Sequence, residues 1–220
     1  MQMLLNKLLP NLLRPLQMEA IKEIRDYALR METLATHIKD VEPNSQLRIT
    51  IFETVKAFAQ GLRRGMFLNH VAQAVHGVLS SPEQLRQMHY DWSTIDWTVL
   101  CDQANMVSQT RKDLIMTCDT SVQQFLSSQQ SISKWIDFFD AFATNCLHQP
   151  SMSPEELPRV CRSFILKWTY VTSLLVRDLA VRAAPSFGSF QVLRLFADEF
   201  LQASVDEYGL FVFVFVLSVR

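Results

Sequence analysis

Residues 153–208, SPEELPRVCRSFILKWTYVTSLLVRDLAVRAAPSFGSFQVLRLFADEFLQASVDEY, decide the fold. Ser153-Pro154-Glu155-Glu156 is a helix start: Ser153 can cap, Pro154 fits the first helical position, and Glu156 stands where a capping box closes. Leu157, Val160, Phe164, Trp168, Val171, Leu175 and Asp178 then fall near a seven-residue repeat, broken only by Asp178. Pro185 disfavours helical geometry at Ala184 and so ends this long helix. A final helix follows, with Phe190, Leu193, Phe196, Phe200 and Leu201 on one side. Ser186 or Ser189 is expected to cap it, and Gly188 to allow a tight approach. Val192 and Leu195 add apolar area away from its main stripe. A terminal helix apolar over more than half its circumference is buried on several sides. Its own domain or a partner subunit can do this, and the pattern leaves both open.

The same periodicity runs back through the chain. Met18, Ile21, Ile24, Ala28, Met31, Ala35 and Ile38 recur every three or four residues, with charged residues between them, as in an amphipathic helix. After Pro43-Asn44-Ser45, the residues Leu47, Ile51, Val55, Phe58 and Leu62 mark another stripe. Gly61 and Gly65 predict a kink or short break before the pattern resumes at Leu68, Val71, Ala72, Val75 and Leu79. Ser81-Pro82 starts a further helix. Two more stripes follow, Ile95 to Ile115 and Ile132 to Cys146, with Gln149-Pro150-Ser151-Met152 as a loop. The expected architecture is all-α, a bundle-like domain over 1–208 with a long C-terminal helical pair. Its parts are about 1–80, 81–152 and 153–208. The uncharged run Gly209–Leu217 reads as a strand or an aggregation-prone tail, so 209–220 stands apart as isoform-specific or disordered, and is the one place where a strand is expected.

Composition narrows the function. Of 220 residues, 49% are hydrophobic, ample for a sizeable core, while five glycines and eight prolines are few for an all-β fold. A net charge of −1 argues against a free-standing nucleic-acid binder. Cys101, Cys118, Cys146 and Cys161 form no CxxC pair and are expected to be reduced. No segment reaches the roughly 20 apolar residues of a membrane span. His70 and His76 are about 600° apart around a helix, so they share no face; His70 is expected to line a packing surface, and no metal is expected. The pairs Asp137/Asp140 and Asp198/Glu199 read as solvating charge. Ser186-Phe187-Gly188-Ser189 lacks the frame of a nucleophile turn, and no phosphate loop or dinucleotide fingerprint is present. Arg48, Lys56, Arg63 and Arg64 form a modest basic cluster, read as a solvated face. No catalytic role and no cofactor is expected.

Several blocks carry a family resemblance. Leu8-Leu9-Pro10-Asn11-Leu12-Leu13-Arg14-Pro15, Ala57 to Arg64, Leu68 to Ala74, Phe164 to Trp168, Val176-Arg177-Asp178-Leu179 and Ser186 to Leu195 resemble, in order, the region after the DNA-binding domain of the RFX (regulatory factor X) transcription factors. The resemblance implies an all-helical fold and a role in homo- and heterodimerisation within sequence-specific regulators of RNA polymerase II transcription. It implies that the chain pairs with itself or with longer RFX-type proteins. The implied interface candidates are Phe187, Phe190, Leu193, Arg194, Phe196, Phe200 and Leu175. The family's DNA contacts come from a winged helix that nothing here resembles, so the chain is expected to be a short isoform or fragment that meets DNA only indirectly. A nuclear location is implied, with a cytoplasmic one also for a form without the winged helix. No membrane and no small-molecule substrate is expected as a partner. The last helix departs from the family at Gln202-Ala203-Ser204, where further aromatics are usual. The alternative is a monomeric helical scaffold that binds other partners through its apolar C-terminal helices.

Overall fold

The computed structural model describes residues 15–41, 46–108, 112–147, 153 and 155–218, and their side chains except those of 38–41, 107–108, 112–114 and 207–218. Eight helices and no strand occur among them: α1 Met18–Val41, α2 Gln46–Leu79, α3 Pro82–Ser93, α4 Trp97–Ser108, α5 Lys112–Ser127, α6 Ile132–Leu147, α7 Leu157–Val181 and α8 Phe187–Ser218. Of the expected opening segment Leu8 to Pro15, all but Pro15 lies outside the described residues, as does the loop 149–152. The chain divides into two compact units between Gln73 and Ala74, inside α2.

In the first unit α1 and the bulk of α2 run antiparallel. The Leu16 amide donates to Asn69 Oδ1 at 3.4 Å, and the Arg63 guanidinium donates to Glu32 Oε2 at 2.7 Å, so positions rise along one helix as they fall along the other. Ala28, Ala35 and Ala59 are buried. No break occurs at Gly61 or Gly65, and α2 passes through both. A glycine inside a helix costs only about 1 kcal/mol against alanine, which burial of Leu68, Val71 and Ala72 in the following turns outweighs. His70 is exposed rather than packed, and its neighbour Asn69 is the buried residue.

In the second unit α8 packs on α7, α6 and α3, while α7 also meets α4 and α6, and α3 meets α5. Leu157, Cys161, Phe164, Thr172 and Leu179 form the buried stripe of α7. Compared with the expected repeat, Val160, Val171 and Asp178 give way to residues one position on. A straight helix repeats every 3.6 residues, so a strict heptad drifts around it. Leu174 and Val176 are buried too, because α7 has neighbours on several sides.

The helix ends follow local chemistry. Ser81 Oγ accepts from the Gln84 amide at 3.4 Å, with Pro82 in the first turn, as expected of this cap. At α7 only half of the capping box forms. Glu156 Oε2 accepts from the Ser153 amide at 3.1 Å and from its hydroxyl at 3.2 Å, and the helix proper begins one turn later, at Leu157. These bonds hold the Glu156 carboxyl below its ordinary range. At the other end of α7 the Ala184 amide donates to the Leu179 carbonyl (2.9 Å) and the Ala183 amide to the Ala180 carbonyl (3.0 Å). This is a Schellman motif, and it puts Ala183 at φ 50°, the left-handed position that favours glycine. Ala183→Gly therefore raises the unfolding free energy by about 1 kcal/mol, read as a rise in urea midpoint.

The run 209–218 is not a strand: it continues α8 as helix. Extending an existing helix adds one hydrogen bond per residue fixed, whereas a lone strand has no partner for its backbone. No described helix is long and apolar enough to cross a membrane.

Candidate interaction site on the C-terminal helical pair

The pair α7–α8 is antiparallel and tied by polar bonds at matched levels. Trp168 Nε1 donates to Asp198 Oδ1 at 2.6 Å, and the Arg194 guanidinium donates to Ser173 Oγ at 3.0 Å. Arg194 Nε also lies 3.3 Å from Asp198 Oδ2. Asp198 is thus no solvating charge. Burial pushes its carboxyl above the ordinary range, and the bonds from Trp168 and Arg194 pull the other way. An acidic pair on a helix reads as solvent-facing only until a tryptophan on the facing helix reaches one of its members.

A second anchor holds the start of α8. Asp91, near the end of α3, is 4% exposed. Its Oδ2 accepts from the Ser186 amide at 3.0 Å and from the Ser186 hydroxyl, and its Oδ1 accepts from Gln87 at 3.0 Å. The Ser186 side chain therefore donates across to α3 instead of capping its own helix. The Asp91 carboxylate supplies the negative charge that a helix N-terminus favours. Arg182 closes the corner, bonding the Asp91 carbonyl (3.4 Å), Thr94 Oγ1 (2.5 Å) and Asp178 Oδ2 (2.9 Å). Gly188 has open space around it, with no atom within 4 Å of an added Cβ, so no tight approach depends on it.

The interface candidates divide by burial. Phe196 and Phe200 are 0% and 1% exposed; they stack on each other at 6.1 Å and each meets Phe139 of α6 at 6.4 Å. Phe190 stacks on Trp92 at 5.3 Å and Leu193 is also buried. Phe187, Leu175 and Arg194 are half-buried. On the opposite side of α8 Leu195 is 43% exposed, in a row with half-buried Val192, Glu199 and Gln202. Leu166 and Val181 are exposed on α7. Sequence reading does not single out Asp91, Asp119, Trp92 or Trp97. Asp119 accepts from Trp92 Nε1 at 2.8 Å, and Trp92 and Trp97 lie 5.0 Å apart across the α3–α4 turn. The close spacing of two tryptophans around a helix boundary was the one available signal.

All four cysteines are unbridged, and no group of three potential metal ligands gathers among the described residues. A family model, the RFX BCD domain, matches residues 1–209. The chain belongs to the RFX family. It is similar to the DNA-binding protein RFX2 of Homo sapiens, with 34% identity over 91% of this chain and 27% of that protein. The RFX2 protein of Mus musculus is 35% identical over 91% of this chain and 28% of its own length. Transcription factor RFX3 of Danio rerio is 34% identical over 91% of this chain and 26% of its own length. The chain thus spans little more than a quarter of the curated RFX relatives it matches. No solved structure matches it.

Proposed function

We propose that this chain is the pairing module of an RFX-type regulator of transcription, associating with a second copy or with a longer family member, and meeting DNA through its partner. The observation that carries the reading is the outer row of α8, Val192, Leu195, Glu199 and Gln202. It leaves an apolar residue in the open on a helix whose other face is already filled by its own domain. Phe190, Leu193, Phe196 and Phe200 contribute by fixing the helix that presents the row, and Phe187 extends it at its start. In a two-fold arrangement Leu195 meets Leu195 of the second copy, with Glu199 and Gln202 at the polar rim. Family membership supports the regulatory role, since the relatives are named a DNA-binding protein and a transcription factor. The same names support a nuclear location.

Leu195→Glu tests this. The variant is expected to keep the wild-type helical content and melting temperature and to lose association by at least about ten-fold, since two like charges then face each other across the axis. Unchanged association in a folded variant removes α8's outer row from the interface. A second reading, a monomeric helical scaffold, is favoured by the internal burial of the four aromatic and leucine candidates. It requires that molar mass stay at one chain under all conditions.

A further inference from the structure

The second unit contains a half-open cleft of about 650 Å³ bordered by α3 to α8. That volume lies within the about 300–1,000 Å³ of small-molecule sites. Its walls are mostly aromatic and aliphatic, and all four tryptophans of the chain line it. Three side-chain N–H groups of the described residues are buried without a hydrogen-bond acceptor: Trp97 Nε1, Trp135 Nε1 and Arg194 Nε. All three belong to residues lining this cleft. Arg194 Nε has the Asp198 carboxylate 3.3 Å away as its ion-pair partner, so the two indole donors are the ones without a partner. Trp135 is 1% exposed, so water does not serve its side chain from outside. Indole and guanidinium nitrogens donate and never accept. A cleft that gathers two orphaned indole donors has use for acceptor atoms from elsewhere.

Charge points the same way. The charged residues lining the cleft are Arg159, Lys167 and Arg194, all cations; Glu156 and Asp198 pair with the two arginines from outside the lining. Arg159 and Lys167 are eight residues apart on α7 with Ser163 midway, one row along the helix edge. Arg159 is largely exposed, as befits the rim, and its contact with Glu156 is a loose 3.7 Å. Phe164, Trp168 and Thr172 form the adjoining inward row.

We propose that this cleft binds an amphipathic carboxylate of the fatty-acid class, its chain among the aromatic side chains and its headgroup at the cationic edge of α7 and α8. A carboxylate brings about four acceptor positions and the negative charge that the lining residues lack. A protein helix fits less well, because its backbone carbonyls are already bonded within it and it is about 10 Å wide.

The test uses the intrinsic tryptophan fluorescence of the 220-residue chain, titrated with oleate below its aggregation concentration and, in parallel, with oleyl alcohol. The expected result is a saturable one-to-one change with oleate and an affinity at least about ten-fold weaker for the alcohol, the size of one charged hydrogen bond. Lys167→Glu, at a half-exposed position, weakens oleate by a similar factor with unchanged circular dichroism, and Ser163→Trp, which fills the mouth, abolishes the change. A linear, unsaturable response overturns the proposal. So does equal binding of acid and alcohol by the wild-type chain, a comparison that depends on no variant.

Discussion

Phe196→Ala lowers the unfolding free energy by about 3–5 kcal/mol, the range for a large aromatic removed from a packed core. Phe196 has no exposed surface and joins Phe139 of α6 and Phe200 of α8. Rigid helices on either side cannot close over the cavity left behind, so lost burial and lost contacts add. Domains of this size are stable by about 5–15 kcal/mol, so the change moves the urea midpoint far to the left. Leu195→Ala, on the same helix one residue away, is the control and costs less than about 1 kcal/mol because its side chain is already partly in water. Similar losses from the two substitutions in a chain held below its association range would mean that α8 is not oriented as described.

Asp91→Ala costs about 2–4 kcal/mol by the same measurement. The substitution deletes the acceptor of the Ser186 amide, the Ser186 hydroxyl and the Gln87 amide in one step. Each buried donor left without an acceptor costs about 1–3 kcal/mol, and the helix N-terminus also loses its counter-charge. The loss should concentrate where α8 begins. Hydrogen exchange at the Phe187–Phe190 amides is then expected to speed up more than exchange in α5. Asp91→Asn keeps one acceptor oxygen and falls between the two. A solvated carboxylate at this position would give less than about 0.5 kcal/mol for either variant.

The helical class of this chain is legible because its apolar residues recur every three or four positions from Met18 to Leu201. The pattern shows that Phe190, Phe196 and Phe200 are buried somewhere; it does not show against what. Their neighbours Trp92 and Phe139 stand 98 and 57 residues from Phe190 and Phe196 in sequence, at distances no local period encodes. The heptad in 157–178 misleads by one position at Val160 and Val171, since several helices surround α7 and no single two-helix seam fixes its register. Asp91 and Asp198 are hidden for a related reason. A carboxylate on an amphipathic helix reads as solvated, and only the fold brings Ser186 or Trp168 to it. The run after Tyr208 has strand-like composition, but composition does not count the helical turns that precede it. The cleft is invisible in sequence, because its cations and its tryptophans come from five helices.

Sedimentation equilibrium of the 220-residue chain over a hundred-fold dilution series, alone and mixed with a full-length RFX2 relative, is decisive for the pairing role. The average mass is expected to rise reversibly from 25.4 kDa toward twice that value with concentration, and a mixed species to form in the presence of the relative. Leu195→Glu shifts that rise to higher concentration. A mass of one chain at every concentration, with no mixed species, contradicts the pairing role and leaves α7 and α8 as the inner wall of a monomeric helical domain.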